Sequence, residues 1–270
     1  MHAVVETLNL EELIENFIKD YREGSREKYR EAVRRMISEN SVSLVIDFDD
    51  LLNYNKVLAD ELVKDPILFL KEASRALNRV VAVEDPNYAQ KAKTFHVRIR
   101  KLPENLHVKV RDIRSRYLGR LIAVEGIVTK ISPVKQELVE AVFKCRSCGY
   151  EEVVKQEEGA DLTKPSQCPR CAEEEEKNSA DAEEEKEPIG RKSAGRKSAR
   201  RKSAGFVLVA EKSKFVDVQK FVLQEKPEEL PPGQLPRSIE VVVRDDLVDI
   251  VRPGDRATVV GFLKVEEDKR

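Results

Sequence analysis

The chain of 270 residues contains no tryptophan, two methionines, four cysteines and three scattered histidines, His2, His96 and His107. No apolar run approaches the roughly 20 residues that a membrane-spanning helix needs, so an integral helical membrane protein is excluded. The opening Met1-His-Ala-Val-Val-Glu-Thr-Leu lacks the basic-then-apolar order of a secretory leader, which points to an intracellular, reducing setting. There is no G-x-x-x-x-G-K-[ST] loop to cradle a triphosphate, so these residues are expected neither to bind ATP by that route nor to do work with it. No Ser-His-Asp or His-rich pattern offers another catalytic reading, and a lone histidine is more often structural. Charge of one sign is lacking too: 49 Lys or Arg against 50 Asp or Glu leave a net charge of -1. The charged fraction is nevertheless 37%, which with so few Met and Cys points toward a thermophile.

What cysteine there is sits in one place, as Cys145-Arg-Ser-Cys148-Gly149 and, after nineteen residues, Cys168-Pro-Arg-Cys171. Two C-x2-C pairs at this distance fit a tetrahedral four-thiolate site of two facing knuckles, holding one structural Zn2+ per chain. Four sulfurs leave no open position for water or substrate. Gly149 suits the positive-φ turn that lets backbone N–H groups face the sulfurs. Two disulfides are the competing reading, and the expected reducing setting weighs against them. A thioredoxin-type redox pair is a second rival, weakened by the presence of the other C-x2-C.

The first third reads as helical. Leu10, Leu13, Ile14, Phe17 and Ile18 recur at helical spacing, and Tyr29, Val33, Met36 and Ile37 do so again after Gly24-Ser25. A β-rich run, Ser43 to Phe48, interrupts them, and a further helix is expected near Lys56 to Val63. Asp65-Pro66 is a helix start, with Asp as cap and Pro at the first helical position. Residues 1–93 are therefore expected to form a helical subdomain. From residue 94 the period changes: Phe95-His-Val-Arg-Ile-Arg alternates, and Leu121 to Ser132 reads as a long strand bent at Gly126. Between residues 91 and 120 ten Lys or Arg stand against only Glu104 and Asp112, an excess of +8 that suits a phosphate-binding surface or an acidic neighbouring subunit, with a merely solvated face as an equal reading.

Beyond Cys171 the composition turns extreme. Residues 173–189 carry nine Asp or Glu and two Lys, and Arg191 to Ala204 repeats an RKSA unit. Too little apolar surface is present to offset ordering entropy, so 173–205 is expected to be a disordered insert, tolerated rather than functional, with non-specific phosphate affinity as the other option. Strand patterns resume at Phe206–Val209, Lys214–Gln224, Ser238–Val243 and Ala257–Val265, with turns at Pro232-Gly233 and Arg252-Pro-Gly-Asp255. The expected fold class is multi-domain α+β. It comprises the helical subdomain, a five-stranded oligonucleotide-binding (OB) barrel over 94–138 and 206–270, and a zinc ribbon, 139–172, inserted in it.

Leu121-Ile-Ala-Val-Glu-Gly-Ile-Val-Thr-Lys130, the four-cysteine ribbon, Gln224-Glu-Lys-Pro-Glu-Glu, Pro232-Gly-Gln-Leu-Pro-Arg237 and Arg252-Pro-Gly-Asp-Arg-Ala-Thr-Val-Val-Gly261 occur in this order. In this the chain resembles the N-terminal region of archaeal minichromosome maintenance (MCM) replicative helicases. The likeness covers about residues 5 to 265 apart from the insert. It implies a non-specific DNA-binding, ring-forming region, a hexamer or double hexamer of identical subunits around single- or double-stranded DNA, in the archaeal cytoplasm at the nucleoid. It implies contacts to single strands from Lys130, Lys135 and Arg237, while a fourth basic position of that set falls on Val222. It also implies that Gln224, Glu225, Gly233 and Gln234 belong to a loop relaying to an ATP-dependent motor domain. The family's DNA hairpin should begin beyond Val265, leaving Lys269 and Arg270 as its possible remnant. The alternative is a structural assembly module or OB adaptor whose ribbon and basic face make protein contacts.

Overall fold

A computed structural model describes residues 10–91, 94–156, 161–172, 205–230 and 233–265. The expected insert apart from Gly205, together with Pro232, Lys269 and Arg270, lies outside the described residues. Two compact units are present: residues up to Pro133 together with those from Gln219 onward, and Val134–Val218.

The first unit opens with helices. α1 (Leu10–Asp20) buries Ile14, Phe17 and Ile18, the apolar stripe its spacing predicts. A hairpin of two-residue strands, β1 (Arg22–Glu23) and β2 (Arg26–Glu27), turns at Gly24, whose φ of +67° favours glycine. α2 (Lys28–Ser38) buries Tyr29, Val33 and Met36. After β3 (Ser43–Asp47) come α3 (Phe48–Tyr54), α4 (Lys56–Lys64), α5 (Pro66–Glu84) and α6 (Pro86–Lys91). Asp65 caps α5 as expected: its Oδ1 accepts the Leu68 N–H at 3.0 Å, and Pro66 fills the first helical position.

The alternating run that was expected to open the barrel forms β4 (His96–Arg100), but it pairs in parallel with β3, from Ser43↔His96 to Asp47↔Arg100. A period of two reports a strand and its faces, not its partner. His96 Nε2 lies 2.7 Å from Asp245 Oδ2, and Arg98 Nη2 donates to Asp246 Oδ1 at 2.6 Å.

β5 (Leu121–Ile131) is antiparallel to β11 (Arg256–Phe262) on one side and to β9 (Lys214–Gln224) on the other. β10 (Ser238–Arg244) adds to β9. Four consecutive buried residues at the start of β5 explain its unbroken apolar run: Leu121 and Ala123 join the helical core, while Ile122 and Val124 join a second core with Val108, Val110, Val128, Phe221 and Leu223. The ladder between β5 and β11 runs in unbroken register through Gly126. The register shift of β5 against β9 falls between Val128 and Lys130, and Gly126 serves close approach, since a Cβ there would stand 2.4 Å from Gln224 O.

The second unit is a small antiparallel sheet. β6 (Lys135–Cys145) pairs with β7 (Glu151–Lys155), with β8 (Phe206–Leu208) and with residues 214–218 of β9. Phe143 and Ala141 on β6 are fully buried, which fixes which face of the strand turns inward.

Candidate metal centre and nucleic-acid interface

The end of β6 delivers Cys145, and a tight turn closed by the Gly149 N–H on Cys145 O at 3.0 Å delivers Cys148. Gly149 has φ +75°, a conformation that a side chain would strain. Cys168 and Cys171 flank the start of a helical turn over 169–172, where the Ala172 N–H donates to Cys168 O at 3.0 Å. All four sulfurs lie within 4.8 Å of one another, with Cys145–Cys171 at 3.8 Å and Cys148–Cys168 at 3.4 Å. A disulfide needs about 2.05 Å, and all four thiols are free. Sulfurs about 2.3 Å from a tetrahedral zinc would stand about 3.8 Å apart, so the set is compatible with a zinc site.

The electrostatics agree with that chemistry. Backbone N–H groups of Cys148 and Ser147 hold the Cys145 thiol down to about 6 against the effect of burial. Burial raises Cys168, and the neighbouring Cys148 thiol together with burial raises Cys171. Four thiolates cannot share so small a space without a cation among them, and a divalent ion removes the conflict.

Lys130 lies on β5 in the first unit and Lys135 opens β6 in the second, opposite Val218. Both are exposed, and neither ammonium has a partner among the described residues. Val222 stands directly opposite Lys130 in the β5–β9 ladder. Arg237 is exposed just before β10.

Of the expected relay residues, Gln224 ends β9 and Glu225 follows it, buried at 6% exposure. Glu225 and Arg237 pair at the base of the loop between β9 and β10: the Glu225 N–H donates to Arg237 O, and the Arg237 N–H donates to Glu225 Oε2, both at 3.0 Å. Gly233 takes φ +78°, and Gln234 is exposed.

The basic stretch 91–120 is mostly consumed within its own unit. Arg98 pairs with Asp246, Arg100 and Lys101 with Asp47, Lys109 with Glu229 and Arg111 with Glu225. Arg114 donates to the carbonyls of Arg111 and Ile113, and Arg116 lies over the Tyr117 ring. Five of the ten cations in this stretch are thus paired with acids drawn from far along the chain.

Sequence reasoning missed a polar cluster under the helices. Asp50 accepts from Tyr21 at 2.8 Å, from Lys28 at 2.6 Å and from Tyr29, while Asp47 accepts from Arg100 and Lys101. The one available signal was an Asp-Phe-Asp-Asp run ending an apolar strand, which alone reads as a helix cap.

Helices leading into a sheet, with four cysteine thiols gathered within 4.8 Å, define a mixed helix-and-sheet protein. The MCM N-terminal domain model matches residues 11–101 and the MCM OB domain model matches residues 109–267, so the chain belongs to the MCM family. It is 34% identical over 249 residues to the minichromosome maintenance protein MCM of Saccharolobus solfataricus, covering 91% of this chain and 32% of that protein. It is 32% identical over 242 residues to the zygotic DNA replication licensing factor mcm3 of Xenopus laevis, covering 90% and 27%. It is 33% identical over 236 residues to the DNA replication licensing factor mcm3 of Schizosaccharomyces pombe, covering 86% and 24%. The chain spans a third or less of the length of these relatives. Among the described residues no helix is long and apolar enough to cross a membrane.

Proposed function

We propose that this chain is the DNA-gripping and ring-assembling N-terminal region of an MCM-type replicative helicase, working in the cytoplasm of an archaeon. Its β strands form a five-stranded OB barrel, and Cys145, Cys148, Cys168 and Cys171 hold one structural Zn2+ in a ribbon that projects from it. Zinc there supplies cross-linking, not catalysis, because four thiolates complete its coordination. Six identical subunits form a ring, single or doubled, around single- or double-stranded DNA. The loop carrying Gln224, Glu225, Gly233 and Gln234 relays between this ring and an ATP-dependent motor domain.

The observation that carries the reading is a contrast between cations. Much of the basic stretch before β5 is paired inside the protein, whereas Lys130 and Lys135 stay exposed without a partner among the described residues. Exposed lysines bind phosphate as point charges and carry no base preference, so binding should be non-specific and strongly salt-dependent.

Anisotropy with fluorescent oligonucleotides of unrelated sequence tests this. Affinity should be nearly equal across sequences and fall steeply with salt. Reversing the charge of Lys130, Lys135 and Arg237 together should weaken it by about 100-fold or more, three phosphate contacts being lost. Unchanged affinity removes the site assignment. Sedimentation in parallel addresses the assembly: a ring that lacks DNA affinity would favour a purely structural module, and affinity in monomers a simple OB adaptor.

A further inference from the structure

The loop between β9 and β10 is closed by a side chain outside it. Arg111 lies in a single 3-10 turn, Val110–Asp112, whose Val110 is buried in the second core with Val108 and Phe221. The backbone of Arg111 is therefore fixed by its neighbour's packing. Its guanidinium presents a fork to Glu225, with Nε 2.8 Å from Oε1 and Nη2 2.9 Å from Oε2. Nη1 reaches across the loop to Gln234 Oε1 at 3.1 Å. The Arg111 carbonyl accepts Nη1 of Arg237 at 3.2 Å. One residue thus touches the loop where it leaves β9 and at two points, Gln234 and Arg237, on the segment that enters β10.

Glu225 is the other half of the device. Its buried carboxylate accepts the Arg111 fork and the Arg237 N–H together, and the fork holds its pKa below the usual carboxylate range. A bidentate arginine–carboxylate pair fixes direction as well as distance, which lysine cannot do. We propose that Arg111 is a positioning residue that locks the base of the 225–237 loop to the sheet and sets the direction of the Arg237 guanidinium. The second half of this role rests on the reading of Arg237 as a phosphate contact; the first does not.

Residue-resolved amide exchange on the full 270-residue chain reads the lock with no ligand present. The Arg237 amide should be protected in the wild type to the level of the β9 and β10 ladder amides, and should lose about tenfold or more of that protection in Arg111→Lys. Fast exchange of that amide in the wild type, or unchanged protection in the variant, overturns the lock. With a fluorescent oligothymidine as probe, Arg111→Lys should weaken binding by about tenfold in the wild-type background and have no further effect in Arg237→Ala. Additive losses would make Arg111 a phosphate contact itself and overturn a positioning role. If Arg111→Lys fails to fold, Glu225→Gln, which keeps the volume while losing the charge, carries the same two comparisons. Absence of oligothymidine binding by the wild type would sink the proposed function while the exchange arm still decides whether the lock exists.

Discussion

Lys130 and Val222 stand opposite each other across the β5–β9 ladder, the cation exposed and the valine half-buried. Directly opposed side chains have Cβ atoms about 5 Å apart, so an apolar group fills the space beside Lys130 where the resemblance implies a basic residue. Lys220, two residues from Val222, shares its face and pairs with Glu240 at 2.9 Å. Val222→Arg should add one phosphate contact next to Lys130. Oligonucleotide affinity should rise by about tenfold, and the slope of log affinity against log salt should steepen by about one. Anisotropy across a salt series measures both. An unchanged slope would mean that nucleic acid does not pass over this face.

Replacing one thiolate should disable the metal centre. In Cys168→Ser a buried hydroxyl stands in for one sulfur of a set gathered within 4.8 Å, leaving three strong ligands. Zinc affinity should drop by more than the roughly 100-fold typical of losing an outer-shell partner, and thermal stability should become insensitive to chelator. Metal content by atomic absorption, paired with melting curves with and without chelator, checks this. Stoichiometric zinc in the variant would contradict coordination by all four cysteines.

Gly126 provides a steric prediction independent of any ligand. A methyl group there would stand 2.4 Å from Gln224 O and 2.8 Å from Leu223 Cγ, both on the partnering strand. Gly126→Ala must push β5 and β9 apart and should cost about 1–3 kcal/mol, the range for overpacking a filled interior. The urea midpoint should fall with its slope unchanged. A midpoint equal to that of the wild type would mean that the ladder is looser than drawn.

Local patterns were legible and long-range pairings were not. The strand expected over Lys214–Gln224 has those bounds, because Phe215, Val216, Val218, Phe221 and Val222 give it a high β propensity and no Gly or Pro interrupts it. Asp65-Pro66 was readable because a cap and its helix lie within four residues of each other. The four cysteines came together as their spacing implied, since each knuckle is a local turn. β7, by contrast, is a short run, Glu-Glu-Val-Val-Lys, with exposed residues on one face and none fully buried, and it is a strand only because β6 offers it a ladder. The placement of β4 beside β3, and the contact of Arg111 with a glutamate 114 residues later, depend on where the chain returns in space. No window of neighbouring residues carries that information. The basic stretch misled for the same reason: a charge count sees the arginines and lysines but not the acids that the fold brings to them.

The acid cluster beneath the helices should make part of the stability pH-dependent, and its sign can be worked out from Asp47. Burial alone would raise its pKa, but hydrogen bonds from Arg100 and Lys101 override that and hold it down to about 2. An unfolded aspartate titrates near 3.9, so the folded state holds this proton less tightly than the unfolded chain does. The stabilisation is then fully present above about pH 4 and is lost as pH falls toward 2, with a ceiling of about 2 kcal/mol for this one group. Asp50 shifts in the same direction: burial opposes, and hydrogen bonds from Lys28, Tyr29 and Tyr21 prevail. Asp47→Asn should therefore be destabilised at pH 7, and its deficit relative to wild type should shrink as pH falls from 5 to 3. Urea denaturation at a series of pH values gives that difference directly. A deficit that stays constant over the range would mean that the cost comes from lost packing around the side chain and not from its charge.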